Sequence, residues 1–461
     1  MSKKILSIIL LCCIVIFALS SRTYVPRAEE IDLEDNSTDV INVWYTDEAL
    51  DGYMKEAASA FQQQTGISVA LTLTSGLEYL ENIQEATLHG ENGPDAYIIS
   101  SDSLEKARLS GLAAEMQDGK GVLNTTHFPQ VALNAVTYND KILGYPFTYE
   151  TAGFFYNDSY LTEIAEKAIA SEAEQNPGVI QDVEAKKQEI FPVSMVGLLE
   201  FANTYEPPET METFLLWDVT DVMYNYGFAG AYMNVGGITG DNREEIDIYN
   251  TDAMYCLSVY QDFNQFFSID AEAVDAGRVK EDFISGKIMY TIGGTNMMMA
   301  LEEAKAEGTF SWEYDVASIE MLNANLAFKP LSVTSAVAVN DYSEKQDAAE
   351  LFARFIACDY ASNLYVRSGK LCAYALEEYP VPAMEKLRTC YENSVSLPKI
   401  VENSNYWILA ELCYTNIWDG GDVNSELMNL SSQVKKEISG TEVSELQLET
   451  PVVTESYIQS E

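Results

Sequence analysis

Two periods of hydrophobic and polar residues alternate along the chain from Val40 onward. The apolar runs INVWYT and PDAYIIS and the alternating ISVALTLTSG predict strands. Between the first and third of these lies LDGYMKEAASAFQQQTG, whose apolar residues recur at helical spacing up to a stop at Gly66. LEYLENIQEATLHG and SLEKARLSGLAAEM predict two more helices. Repeated strand–helix–strand units predict an α/β fold with parallel-rich sheets flanked by helices.

In sheets of this kind, ligands bind beyond the carboxyl ends of the strands. The loops after Trp44 and Ile99 are therefore the first places to expect a binding site, and Trp44 itself is a candidate contact. The other candidates in these loops are Tyr45, Asp47, Glu48 and Asp102.

A charged insert at about residues 161–206 is predicted to form solvated helices. After it, the second half of the chain again shows segments typical of strands and helices. ETMETFLLWDVTDVMYNYG predicts a helix with Thr210 as its N-cap. LSVTSAVAVN predicts a strand, and YWILAELCYTNIWDGG predicts an apolar helix. Residues 440–461 predict a flexible tail.

The N-terminal segment MSKKILSIILLCCIVIFALSS carries Lys3 and Lys4 before an apolar run, which is the pattern of an export signal over residues 1–20. The run is shorter than the roughly 20 residues of a membrane span. Cleavage after Ser20 and retention as an anchor both remain open, and lipid attachment at Cys13 ranks third. Residues 21–39 then form a polar tether, and the remainder is expected outside the cytoplasmic membrane, secreted or attached to its outer face.

Charge and rare residues exclude several classes of protein. With 27 basic against 72 acidic residues, the net charge of −45 repels polyanions, so nucleic acid and anionic lipid surfaces are excluded as partners. Neither of the two histidines nor any of the seven cysteines stands at a metal-ligand spacing. The sequence therefore predicts no metal site and no cofactor.

One acidic residue stands in an unusual place. In ILGYPFTYETAGFFYN, Glu150 is surrounded by aromatic residues, and an ionised carboxylate there must be exposed, paired or in a polar cleft. Aromatic rings can stack on sugars, whose hydroxyls need acceptors such as carboxylates, so Tyr149, Tyr406 and Trp407 are further candidate contacts. A glycosidase would instead use Glu150 with Asp102 or Asp47 as its pair of carboxylates.

Several segments in order resemble the extracellular solute-binding proteins of family 1, the maltodextrin-binding type that serves ABC importers. They include INVWYTDEALDGYMKEAASAFQQQTGISV, GPDAYIISSDSLEKARLSGLAAEMQD, YNDKILGYPFTYETAGFFYN and LPKIVENSNYWILAELCYTNIWDGG. The resemblance implies a two-lobed, periplasmic-binding-protein-like fold that closes on its ligand by a hinge. It places the first lobe at residues 40–148 and about 321–366, and the second at residues 149–320 and about 367–439.

The resemblance also assigns roles to single residues. It implies that Glu150, directly after the first crossing strand, accepts hydroxyl hydrogen bonds, and that Trp407 stacks on a sugar ring. Ile99 and Asn296 stand where maltodextrin binders carry tryptophan, which puts a long stacked malto-oligosaccharide in doubt. Asn296 is itself a further candidate ligand contact.

The function expected from these observations is that of a monomeric, extracytoplasmic solute-binding component of an ABC importer, without enzymatic activity. Its ligand would be a carbohydrate of oligosaccharide size, and its partners would be the permease subunits. A surface glycan hydrolase and a glycan-binding surface protein independent of any transporter are the alternatives, and a polyamine is a minor alternative ligand.

Overall fold

The structure is a computed structural model, and it describes residues 40–90, 93–175, 182–400 and 403–452. The predicted export signal at residues 1–20, the tether at 21–39 and the end of the tail at 453–461 lie outside the described residues. Within those four ranges, every helix is too short or too polar to cross a membrane.

Strands and helices are numbered separately along the chain. The strands are β1 Val40–Tyr45, β2 Ser68–Leu73, β3 Ala96–Ser100, β4 Thr137–Tyr138, β5 Lys141–Ile142, β6 Tyr145–Thr151, β7 Gly153–Asn157, β8 Thr213–Leu215, β9 Asn234–Val235, β10 Ile246–Asp247, β11 Ile288–Gly293, β12 Tyr314–Ala317, β13 Leu331–Val339, β14 Leu371–Cys372 and β15 Val395–Ser396. The helices are α1 Asp51–Thr65, α2 Tyr79–His89, α3 Leu104–Leu109, α4 Gln130–Val136, α5 Asp158–Gln175, α6 Val183–Ile190, α7 Met195–Thr204, α8 Val222–Asn225, α9 Thr251–Phe267, α10 Ala276–Ile284, α11 Thr295–Glu307, α12 Gln346–Arg354, α13 Leu364–Ser368, α14 Pro382–Glu392, α15 Asn403–Trp418 and α16 Val423–Ser439.

The larger sheet has seven strands in the order β14-β6-β13-β3-β1-β2, with β15 beside β13. As predicted, β1 runs parallel to both β2 and β3. The long strand β13 runs antiparallel to β3 and β6, so the sheet is mixed. We call the part of the molecule built on this sheet lobe 1.

The smaller sheet has four strands in the order β12-β7-β11-β8, and we call the part built on it lobe 2. A single residue, Ala152, separates β6 of the larger sheet from β7 of the smaller one. The chain therefore passes between lobes in one step at that point, and it returns between β12 and β13. The short strands β14 and β15, which lie in the range expected for lobe 2, pair with the larger sheet.

Large aromatic side chains fill the core of lobe 2. The rings of Trp217 and Trp418 meet edge to face with centroids 5.3 Å apart, and neither is more than 1% exposed. Their indole N–H groups stay satisfied, because Trp217 donates to Asn225 Oδ1 and Trp418 to the carbonyl of Ile269. The five cysteines of the described residues are free and buried in the core.

Two predicted helices differ from the structure. SLEKARLSGLAAEM is helical only through Leu109, because the buried residues that follow run extended beside other backbone, with Ala114 N bonded to the carbonyl of Val339. The predicted helix with an N-cap at Thr210 is instead strand β8 followed by the short helix α8. The Thr210 hydroxyl contacts Tyr160 Oη at 2.6 Å, so it caps nothing.

The insert predicted at about residues 161–206 is helical, as expected, and consists of α5, α6 and α7. It is less solvated than its charge suggested. The side chain of Lys186 is only 8% exposed, with its ammonium 2.5 Å from Glu172 and 2.8 Å from Glu189. Lys187 is paired in the same way with Asp158 at 2.8 Å, so the lysines hold α6 against α5.

The described part of the predicted tail contacts the helices of lobe 2. The amide of Leu448 donates to Tyr249 Oη, and Asn424 Nδ2 donates to the Leu448 carbonyl, both at 2.9 Å. Glu445 forms a salt bridge with Lys435 at 2.5 Å. Residues 445–450 are thus bonded to α16 and to the segment before α9.

Gly227 packs closely against Phe328, which lies between β12 and β13, and we expect this contact to tolerate only glycine. A Cβ on Gly227 would lie 2.2 Å from Cζ of Phe328, whose ring is held by Phe154 and Phe228. Gly227→Ala should lower the free energy of unfolding by about 1 to 3 kcal/mol through overpacking. Urea denaturation of the ligand-free protein measures this.

Gly119→Ala is the matched control for that substitution, because a Cβ there meets no atom within 4 Å. It should change the free energy of unfolding by less than about 0.5 kcal/mol. Equal stability of the two variants would contradict the packing role of Gly227.

Candidate ligand-binding cleft

The cleft floor is formed by β6, whose side chains alternate between two faces. Tyr149 points into the core, where its ring stacks on Tyr391 with centroids 4.1 Å apart and planes 2° apart. Thr148 and Glu150 take the opposite face, and Thr148 lines a cavity of lobe 1. Glu150 lies within the strand, opposite Val333 of β13, and so belongs to the crossing itself.

Lobe 1 contributes a polar cavity of about 480 Å³ at the carboxyl ends of β1 and β3. It lies beside the loops after Trp44 and Ile99, in which the sequence predicts a binding site. Hydroxyls and carboxylates from several loops and strands meet there. Among the lining residues are Thr46, Asp47, Glu78, Tyr79, Ser100, Ser103, Thr148 and Ser335. The Tyr79 hydroxyl and Ser100 Oγ have no hydrogen-bond partner among the described residues.

Lobe 2 contributes a second cavity of about 210 Å³, where β11 ends and α11 begins. Asn296, a predicted contact, is exposed and lines it together with Asp218 and Tyr224. Burial, followed by the charges of Asp221, Asp218 and Glu150, raises the pKa of Tyr224 to about 12. Tyr224 therefore stays a neutral hydrogen-bonding group near Glu150.

The partner of Glu150 is Lys370, whose Nζ lies 3.5 Å from Glu150 Oε1. The same ammonium lies 3.0 Å from Asp47 Oδ2. Partial burial lowers the pKa of Lys370, but the hydrogen bond to Asp47 and the charge of Glu150 outweigh it, and the pKa is raised. Of the three situations open to a carboxylate at position 150, the structure thus shows pairing, at the edge of a polar cleft.

The loop after β1 places its acidic residues differently. Asp47 caps the turn Glu48–Leu50, with Oδ1 accepting from Ala49 N at 2.9 Å, while Oδ2 faces Lys370. Glu48 is exposed, in the first turn. Trp44 is half-buried and packs against the small core cluster around Tyr97.

Asp102 is brought to the end of β3 but not to the open cavity. Its side chain is buried, with the residue 4% exposed, and neither carboxylate oxygen has a hydrogen-bond partner among the described residues. Burial raises the pKa of Asp102, and the positive charge of Lys399 opposes this rise. Asp102 is therefore covered as the structure stands.

Three aromatic residues predicted as ligand contacts lie in the core instead of on the cleft surface. Tyr45, Tyr149 and Tyr406 are at most 2% exposed. The hydroxyl of Tyr45 donates to Asp51 Oδ1, and that of Tyr406 pairs with Tyr226 Oη, both at 2.9 Å. Each ring packs between secondary-structure elements, because it lies on the buried face of its strand or helix.

Trp407 is placed differently from these tyrosines. It is half-buried on α15, and its indole N–H donates to Glu411 Oε1 at 3.0 Å, one turn further along the helix. Of the aromatic candidates, Trp44 and Trp407 keep part of the ring accessible.

A second group of charges, which we call the interlobe cluster, joins the two lobes directly. Arg243 of lobe 2 donates to both carboxylate oxygens of Glu105 in lobe 1, at 2.9 and 3.0 Å. Asp241 accepts from the Asn139 amide at 2.7 Å. Lys399, 3% exposed, donates to the carbonyls of Asn134 and Thr239, one on each side.

The sequence reasoning missed Lys370, Thr148, Ser335 and Tyr224. Thr148 could have been found, since it stands two residues before Glu150 and shares its face. Ser335 lies in β13, where the pairing with β6 shifts between Thr334 and Ala336. Nothing in its local sequence indicates a binding role. Lys370 is 220 positions from Glu150 in the chain, and only sheet pairing brings it near. The described residues contain no group of three or more His, Cys, Asp or Glu side chains suited to a metal ion.

Two α/β lobes joined by crossing strands, each with a cavity that polar side chains help to line, are typical of solute-binding proteins. Residues 56–363 match the bacterial extracellular solute-binding protein family, over more than half of the 461 residues. The chain belongs to this family and is an extracellular solute-binding protein. The predicted family and location are thereby confirmed.

Individual relatives agree with this assignment. The chain is similar to the maltooligosaccharide ABC transporter solute-binding lipoprotein of Streptococcus pneumoniae strain R6, with 23% identity over 88% of this chain and 89% of that protein. It is similar to a cyclo/maltodextrin-binding protein solved with maltotetraose, with a TM-score of 0.69, 19% identity, and coverage of 88% and 98%. A Staphylococcus aureus extracellular solute-binding protein solved with maltose gives a TM-score of 0.69, 17% identity, and coverage of 87% and 98%. These structures confirm the predicted two-lobed fold.

The buried lysine of the interlobe cluster should make stability depend on pH. Burial lowers the pKa of Lys399 to about 8, against the upward pull of Asp241, Asp102 and Glu105. An unfolded lysine keeps its proton up to about pH 10.4, so between these values the unfolded chain binds the extra proton and stability rises with pH. Below pH 8 both states are protonated and the contribution is constant.

The measurement compares the native chain with Lys399→Met by urea denaturation at several pH values from 7 to 10. The difference in unfolding free energy should move in favour of the native chain above pH 8, by up to about 1.4 kcal/mol per pH unit. A difference that stays flat, or moves the other way, would show that Lys399 keeps its proton.

Proposed function

We propose that this protein captures a carbohydrate of oligosaccharide size between its two lobes and delivers it to an ABC permease. The observation that carries the proposal is the composition of the cleft. A cavity of about 480 Å³ lined by hydroxyls and carboxylates lies in lobe 1, and a smaller cavity in lobe 2 adds the polar side chains of Asp218, Tyr224 and Asn296. Sugar hydroxyls need many donors and acceptors held at fixed positions, which such walls supply.

Partly accessible aromatic rings support the same ligand class. Trp407 and Trp44 each keep part of their surface free, and sugar rings present apolar C–H faces that stack on indoles. We propose ligand contacts for Asp47, Glu48, Glu150, Asn296, Trp44 and Trp407. Asp102 would join them only in a state in which the interlobe cluster is open.

Closure of the lobes is the proposed mechanism of capture. Ala152 alone joins β6 to β7, so few residues can absorb the rotation at that crossing, as in hinge motions generally. Ligand contacts from both walls are completed only in the closed form, so binding selects that form. Delivery to a permease is supported by the similarity, over most of both chains, to the streptococcal transporter component. Of the expected lobe boundaries, we keep only that at about residues 320/321, between β12 and β13, since residues 149–151, 371–372 and 395–396 pair within the larger sheet.

We further propose binding without turnover. A glycosidase needs one protonated and one ionised carboxyl group on either side of the bond. Glu150 and Asp47 are both paired with the one ammonium of Lys370, and Asp102 is covered. Neither pair of carboxylates considered for hydrolysis is therefore arranged for it.

A thermal-shift screen tests the function. Maltotetraose, a galacto-oligosaccharide, a tripeptide and spermidine are each added to the full chain over a range of concentrations. A neutral oligosaccharide should raise the melting temperature progressively, by an amount equivalent to about 2.7 kcal/mol at a hundred times its Kd. No shift with any sugar would contradict sugar capture, and shorter sugars appearing in the mixture would contradict binding without turnover.

Trp407 provides the sharpest test of the site. If its ring stacks on a bound sugar, Trp407→Ala should weaken binding of the best sugar from the screen by about 1 to 3 kcal/mol. Ile408→Ala, one residue further and 60% exposed on the same helix, should leave affinity unchanged. A Trp407→Ala protein that binds normally but unfolds about 3 to 5 kcal/mol more easily would assign the ring to the core instead.

A further inference from the structure

The pairing of β14 with β6 brings a lysine to the cleft floor. Leu371 lies opposite Tyr149 and Cys372 opposite Thr148. Continued by one residue, this antiparallel register sets Lys370 opposite Glu150, and opposite charges facing each other across neighbouring strands attract. The observed separation of 3.5 Å between Nζ and Oε1 agrees with that register.

Lys370 also lies next to residues of both lobes. Asp47, 3.0 Å from the ammonium, lines the larger cavity of lobe 1. On the other side, a Cβ at Gly369 would lie 2.5 Å from Cε of Met299, on the same lobe 2 helix as Asn296. Lys370 therefore stands where lobe 1, lobe 2 and the crossing strand meet.

The charges at this point are unbalanced without the lysine. Asp47 and Glu150 would place two carboxylates on one side of the cleft, in a chain whose net charge is already −45. Such a pair would attract an amine-bearing ligand from solution. With Lys370 in place, an ammonium already occupies the position between them, and its side chain is still 25% exposed.

We propose that Lys370 sets the charge selectivity of the cleft: its ammonium occupies the cation position between Asp47 and Glu150, so that the cleft accepts uncharged polyhydroxyl ligands and rejects amines. This inference rests on the proposed function for its ligand class. The exposed part of the ammonium donates to ligand hydroxyls, while the two carboxylates, held in place by it, accept from others. Lys370 is thus both a ligand contact and a positioning residue for Asp47 and Glu150.

The test uses Lys370→Met, which keeps the length of the side chain and removes the charge, and Lys370→Arg, which keeps the charge. Lys141→Met is the matched control, because Lys141 forms a 2.7 Å ion pair with Glu115 and not with Asp47 or Glu150. Calorimetric titrations with maltotetraose and with spermidine are made on the full chain at low and at moderate salt.

For Lys370→Met we expect at least a tenfold loss of maltotetraose affinity and the appearance of spermidine binding that weakens as salt is added. Lys370→Arg, which keeps the charge, should still reject spermidine, and Lys141→Met should behave like the native chain in both titrations. A Lys370→Met protein that binds maltotetraose within twofold of the native value, or that gains no spermidine binding, would overturn the proposal.

Failure of the proposed function is distinguishable from failure of this inference. If the native chain binds no maltotetraose, the sugar assignment fails for that probe, and the spermidine titrations alone decide the role of Lys370. Spermidine binding by the native chain as tight as by Lys370→Met would show that the ammonium excludes nothing.

Discussion

The pairing of β6 with its two neighbours is the constraint on which the cleft depends. β13 fixes one side of β6, with Val333 opposite Glu150, and β14 fixes the other. A slip of one residue would turn Glu150 into the core and Tyr149 out of it, because side chains alternate along a strand. The stacking of Tyr149 on Tyr391 opposes such a slip and so keeps the carboxylate at the floor.

Charge pairing across lobes has a different role from charge pairing within them. Lys186 and Lys187 bind helices of one insert together, and their partners move with them. Arg243 with Glu105, and Lys399 between Asn134 and Thr239, join parts that a hinge motion must separate. For charged groups that are wholly or partly buried, the desolvation cost offsets much of the attraction, so such contacts add little net stability. The interlobe cluster therefore bears on the balance between open and closed forms more than on folding.

The acidic surface and the cleft have different physical roles. Among the residues that the structure describes, the buried acidic side chains are Asp95, Asp102, Glu105 and Asp218, and the others give the surface its negative charge. Inside the cleft, the ammonium of Lys370 stands between the carboxylates of Asp47 and Glu150. Family membership sets the class of protein, and we propose that the few residues around this lysine set its ligand selectivity.

The sequence by itself determined the α/β class, the parallel strands β1 to β3 and the loops at their ends, because period and turn residues are local properties. It could not determine the partner of Glu150 or the burial of Tyr45, Tyr406 and Asp102, which depend on contacts between distant segments. The sequence predicts a helix where strand β8 lies, because the apolar run there is short and has no clear period. Only the tertiary structure decided these points, since register and burial arise when β14 pairs with β6 and when the lobes meet.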